Sequence, residues 1–206
     1  MHVFSETASI EILDALACAF LGMACAVRGR AMGANLLGSL ILACISALSA
    51  ALSREFILHG QQGSMLVFAQ LPQAAFIGAS GGLLLYTIAK GGRFFFFIDT
   101  LSLSLTAALV ASLAAPELGA VGAFSLGLCA SLVPGLIRDL SLGDSALFLE
   151  QPWYAVSAVV AAAGAILLIL LPAFWTMPSF FVHRLGEWAV VCGSLLGLAL
   201  RYWRGR

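Results

Sequence analysis

Seven apolar runs of about 20 residues follow one another along the chain, and their short connections hold most of its charge. Nothing else constrains the fold as strongly. Backbone N–H and C=O groups find no water in a bilayer core, so a run of this length has to satisfy them within itself, as a helix. A membrane barrel would instead show alternating segments of about 10 residues. The runs fall at about 8–27, 34–57, 71–89, 94–114, 117–137, 152–172 and 183–203. The expectation is an all-α integral membrane protein of seven transmembrane helices, forming a single membrane domain over residues 1–206.

Composition agrees. Hydrophobic residues make up 62% of the chain and charged residues 10%, against about a quarter charged in an ordinary soluble domain. The net charge is zero, which gives no support to nucleic acid as a partner; the partner implied is the lipid bilayer. The cysteines (Cys18, Cys25, Cys44, Cys129 and Cys192) lie inside apolar runs without a CxxC pair, so they read as small buried hydrophobes rather than metal or redox groups. Met1 to Thr7 carry no Lys or Arg ahead of the first run, which argues against a cleaved signal peptide.

An odd number of spans puts the two ends on opposite sides. Arg28, Arg30, Lys90, Arg93, Arg138, Arg201, Arg204 and Arg206 collect on one side, leaving Arg54 and Arg184 on the other. The excess of basic residues marks the cytoplasmic face, so the C-terminus is expected inside and the N-terminus outside. Trp153, Trp175, Trp188 and Trp203 fall at or near span ends, where an amphipathic indole prefers the interface.

The chain also repeats itself. Asp14 and Arg54 are 40 residues apart and Asp99 and Arg138 are 39 apart. Each arginine is followed by an acid (Glu55, Asp139), a glycine (Gly60, Gly143) and a proline expected to open the next span (Pro72, Pro152). Each unit holds three spans, an odd number, so the second enters the membrane inverted relative to the first. Repeat one covers about 8–89, repeat two about 94–172, and an extra helix about 183–203; sites in such folds lie at the repeat interface.

An ionised side chain deep in a bilayer costs about 2.5–3.5 kcal/mol on insertion scales and is a functional candidate by default. Span direction puts Asp14 and Arg54 in one leaflet and Asp99 and Arg138 in the other. Two cross-helix pairs follow, Asp14 with Arg54 and Asp99 with Arg138, with Glu55 and Asp139 adding negative potential at either mouth; a hydrated path between them favours cations. The competing reading has the arginines snorkelling to the interface and only anchoring helix ends. Span two adds Ser39, Ser46, Ser49 and Ser53, and span four Ser102 and Thr106 beside Asp99, as hydroxyls able to line such a path or to let helices pack closely. Pro134 and Gly135 sit just before Arg138, where a proline removes a backbone bond, and a helix kink is expected. Gly78 with Gly82, and Gly193 with Gly197, are spaced for helix packing, and Phe94 to Phe97 read as an interfacial, lipid-facing start to span four.

No enzyme is indicated: His2, His59 and His183 lack the spacing of a metal site, and GxSxG, HExxH and phosphate-cradling glycine motifs are absent from the sequence. No cofactor is implied beyond permeating potassium or sodium ions; a bound lipid is compatible with the pattern.

The three-plus-three-plus-one layout, with Leu136-Ile137-Arg138-Asp139-Leu140-Ser141-Leu142-Gly143 followed by Gln151-Pro152-Trp153-Tyr154-Ala155, resembles the trimeric intracellular cation (TRIC) channel family, in particular its short prokaryotic members, some of which are labelled glycine transporter domain proteins. The resemblance implies a seven-helix protomer with its own pore, a homotrimer, and conduction of monovalent cations, chiefly potassium, across a prokaryotic cell membrane. It further implies that kinked second and fifth helices line the pore. The family's glycine run before Arg-Asp is replaced by Ser49-Ala50-Ala51 in the first repeat and Val133-Pro134-Gly135 in the second. Two rivals remain: a secondary transporter of a small amino acid such as glycine, and a non-transporting membrane scaffold.

Overall fold

A computed structural model describes residues 3–58, 65–88, 92–145, 147–150, 152–170 and 185–204. All of the regular structure in these residues is helical: α1 Val3–Ala31, α2 Leu36–Leu58, α3 Met65–Ile88, α4 Gly92–Ser141, the short α5 Leu147–Glu150, α6 Pro152–Leu170 and α7 Leu185–Arg204. The fifty residues of α4 are far more than the roughly 20 needed to cross a bilayer once. The element is in fact two helices joined at Gly119, where φ is 66° and ψ is 176°, a conformation essentially reserved for glycine. The arms, α4a (92–118) and α4b (120–141), bring the long helices to seven among the described residues, as the apolar runs require.

Several boundaries depart from the sequence expectation. The fourth and fifth spans separate at Gly119 rather than around Pro116; the proline lacks a donor, yet the helix runs on until a residue that tolerates positive φ. Pro72 does not open the third span but lies inside α3, whereas Pro152 does begin α6, at a helix position where the missing N–H costs nothing. Gly60 lies outside the described residues. Asn35 is the N-cap of α2, its Oδ1 accepting from the Gly38 N–H at 2.6 Å.

Small residues let the helices approach to backbone contact. A side chain at Gly78 or Gly22 would collide with backbone of α1 or α3 respectively, at Ala19 and Ala75, and one at Gly82 would lie 2.7 Å from the Met23 carbonyl oxygen. The same device recurs on α7, where Gly193 and Gly197 face the carbonyls of Ala161 and Ser157 on α6. Close approach of this kind is the usual reason for small residues at membrane helix contacts. The main core is accordingly alanine-rich, with Ala107, Ala108, Ala111, Ala158, Ala161 and Ala165 buried between α4, α6 and α7. α1 packs on α2, α3 and α4, so it lies where the two triplets meet. Large apolar side chains such as Ile41, Ile77, Leu167 and Leu195 are exposed on the outside, the arrangement expected where lipid is the solvent. Trp188 and Trp203 are also exposed, on α7.

Candidate functional site

The Gly119 corner determines which residues of α4 meet. Position 99 lies 20 residues before it and position 138 lies 19 after it; at 1.5 Å per residue both are roughly 30 Å from the corner. They come level, and Arg138 Nη1 donates to Asp99 Oδ1 at 2.6 Å. Arg138 Nε donates to Asp139 Oδ1 at 2.8 Å. The three side chains are 0%, 2% and 1% exposed for Arg138, Asp99 and Asp139, so Arg138 neither snorkels nor faces lipid. Two polar atoms of this triad, Arg138 Nη2 and Asp99 Oδ2, have no hydrogen-bond partner among the described residues. One guanidinium against two carboxylates leaves a buried formal charge of −1.

A second charged layer lies over the triad. Phe95, one helical turn before Asp99, shares its face of α4a, and its ring centre is 5.3 Å from the Arg138 guanidinium carbon and 5.7 Å from that of Arg28. Both separations are within cation–π range. Arg28 Nη2 in turn donates to Asp144 Oδ2 at 2.5 Å, and both of these side chains are partly exposed. The backbone explains why they meet. α1 and α4b end in the same way, on a glycine with positive φ (Gly33, 87°; Gly143, 70°). In each, the following N–H closes a six-residue loop: Ala34 to the Gly29 carbonyl at 2.9 Å and Asp144 to the Asp139 carbonyl at 3.0 Å. Two helices stopped by the same device at one end of the bundle place Arg28 and Asp144 side by side.

Tyr154 completes the wall. Its side chain is buried, and a Cβ added at Gly135 would be 2.9 Å from the tyrosine hydroxyl oxygen and 4.0 Å from Arg138 Nη2. Gly135 therefore makes room for a phenol beside the buried arginine. The backbone of α4b is helical through Pro134 and Gly135, and the non-helical residue of α4 is Gly119.

The other residues picked out by sequence are distributed as follows. Asp139, expected at a mouth, is instead buried on Arg138, because Arg138 turns inward to meet Asp99. Asp14 is half-buried on α1. Arg54, Glu55 and Ser53 are on α2, with side chains outside the described residues. Ser39 and Ser46 are fully buried on α2; Ser39 packs against Gly29 of α1 and donates to the Asn35 carbonyl at 3.0 Å. Ser49 donates to the Ser46 carbonyl at 2.7 Å. Ser102 reaches across from α4a to the Ala17 carbonyl of α1 at 3.3 Å, and Thr106 is buried one turn beyond it. Of the five cysteines, Cys18 and Cys25 are buried but Cys129 is exposed.

The sequence reading counts Arg28 among the basic residues of one side, Phe95 among lipid-facing aromatics and Tyr154 in the family motif, and brings neither these nor Asp144 to Arg138. Phe96 and Phe97 are exposed, as a lipid-facing start to the helix requires, but Phe95 is buried; its spacing of four residues from Asp99 is the signal that it points inward. Nothing in the sequence alone relates Arg28 to Asp144, 116 residues away.

Residues 96–172 match the family described as Glycine transporter. Comparison with curated proteins returns no match. Among solved structures, a TRIC cation channel studied for the structural basis of its conductance is 22% identical, with a TM-score of 0.72, covering 93% of this chain and 90% of that one. The TRIC orthologue from Rhodobacter sphaeroides is 22% identical with a TM-score of 0.73, covering 94% of this chain and 98% of its own. A prokaryotic TRIC channel crystallised in 0.5 M KCl is 16% identical with a TM-score of 0.77, covering 96% and 98%. The resemblance read from the Arg138-Asp139 motif thus extends over nearly the whole chain in three dimensions: the protein has the fold of the trimeric intracellular cation channels, an all-α membrane fold of two inverted three-helix repeats and a seventh helix.

Proposed function

We propose that the protein is a monovalent cation channel passing potassium, with one path per protomer between inverted repeats of about 8–89 and 94–172, and with the helix at about 183–203 outside them. The observation that carries this reading is the buried triad. A lone arginine inside a membrane protein would repel cations, but Arg138 is matched by both Asp99 and Asp139, and the resulting negative site favours a cation over an anion. The fold similarity supports it, since the solved structures concerned are those of cation channels. By the same likeness the protomer assembles as a homotrimer. The excess of basic residues on one side supports a C-terminus in the cytoplasm of a prokaryotic cell and an N-terminus outside.

Reconstituted protein in a planar bilayer under a potassium chloride gradient tests this directly. Discrete unitary currents reversing near the potassium equilibrium potential are expected. Saturable glycine uptake into liposomes without unitary currents would replace the channel by a carrier, and the absence of both fluxes would leave only a scaffold.

A further inference from the structure

We propose that Phe95 is the side chain that closes the mouth at which α1 ends, and that the Arg28–Asp144 ion pair is the latch that holds it there. The inference rests on the channel reading. With Arg138, Asp99 and Asp139 sealed from solvent, a hydrated cation cannot reach the triad in this conformation, so a group beside the triad has to move for conduction to occur.

Phe95 is that group on the side of the helix ends. It is buried and contacts the guanidinium of Arg138 below and that of Arg28 above, and Arg28 and its partner Asp144 are themselves partly exposed. It also belongs to the first turn of α4, where backbone N–H groups lack intrahelical partners and the helix is most easily rearranged. The latch spans the two repeats: Arg28 ends α1 of the first, while Asp144 follows α4b of the second. Any movement that separates the triplets at this end has to part the pair, and parting it removes one of the two cations that hold the ring.

Single-channel recording of the full chain in symmetrical potassium chloride tests the latch. Arg28→Gln and Asp144→Asn should each raise open probability about threefold, the scale of population shift that follows from breaking a part-exposed ion pair. The charge-reversed double variant R28D/D144R should return it toward the native value. Phe95→Leu, which keeps bulk but lacks a π-face, should also raise it; if that variant does not fold, the two polar variants carry the test. A mere local effect of charge on cation entry would move R28Q and D144N in opposite directions, and that result would overturn the proposal. So would open probabilities equal to the native one, or a double variant no closer to native than the singles. A native protein that carries no current would instead remove the channel reading itself, so the two failures are told apart.

Discussion

Arg138 and Asp99 hold one another at 2.6 Å across 39 residues of chain, at the ends of the two α4 arms farthest from Gly119. The contact fixes the register of the hairpin where covalent connection no longer does. Removing one partner of a buried pair leaves an uncompensated charge and costs about 3–5 kcal/mol. Asp99→Ala leaves Arg138 with Asp139, so the low end, about 3 kcal/mol, is expected. Arg138→Met strands two carboxylates and should reach about 5 kcal/mol. Thermal unfolding in detergent micelles checks the ordering; equal midpoints for the two variants would mean that the triad does not behave as one unit.

The corner at Gly119 should be as sensitive to backbone chemistry as the pair is to charge. With φ 66° and ψ 176°, the residue occupies a region that costs side-chain-bearing residues about 1–3 kcal/mol. Among the described residues no neighbouring atom lies within 4 Å of an added Cβ, so Gly119→Ala probes backbone strain rather than steric overlap. Gly33 has a left-handed φ of 87° in a helix-ending turn, and Asn is tolerated at such positions. Gly33→Asn should therefore unfold close to the native midpoint while Gly119→Ala unfolds clearly below it.

The seven helices and their inverted arrangement were legible in the sequence because apolar length and the 40- and 39-residue charge spacings are one-dimensional quantities. The pairing of Asp99 with Arg138 was legible for the same reason: equal distances from a turn put two positions level. The site's second layer was not. Arg28 and Asp144 meet because two helices terminate alike at one end of the bundle, a fact about packing between distant segments. Asp139 was misplaced because the direction of the Arg138 side chain depends on what lies inside, and Pro72 because a proline marks a helix start only where the flanking chain also breaks.

Gly135 makes room for a side chain from the neighbouring helix. A Cβ there would lie 2.9 Å from the Tyr154 hydroxyl oxygen, closer than real Cβ atoms stand to their neighbours. Gly135→Ala should therefore displace the phenol, and overpacking of this kind costs about 1–3 kcal/mol. Tyr154→Phe removes the oxygen in question, so adding it to Gly135→Ala should recover most of the loss. The thermal midpoints of the four-member cycle decide it: additive losses in the double variant would show that Gly135 acts through the backbone instead.

The remaining prediction concerns the first repeat. Position 14 lies 19 residues before Gly33 and position 54 lies 21 after it, so the α1–α2 hairpin brings them level as the Gly119 corner does for 99 and 138. Asp14 is half-buried on α1, where its charge loses much of its hydration. If the repeat carries its chemistry as well as its topology, Asp14 and Arg54 form the counterpart of the Asp99–Arg138 pair. Unfolding of Asp14→Asn, Arg54→Gln and the double variant should then give a coupling of at least about 1 kcal/mol, above the few tenths that separate independent sites. Strictly additive losses would mean that the two triplets share a backbone plan while the first holds no coupled counterpart of the Asp99–Arg138 pair.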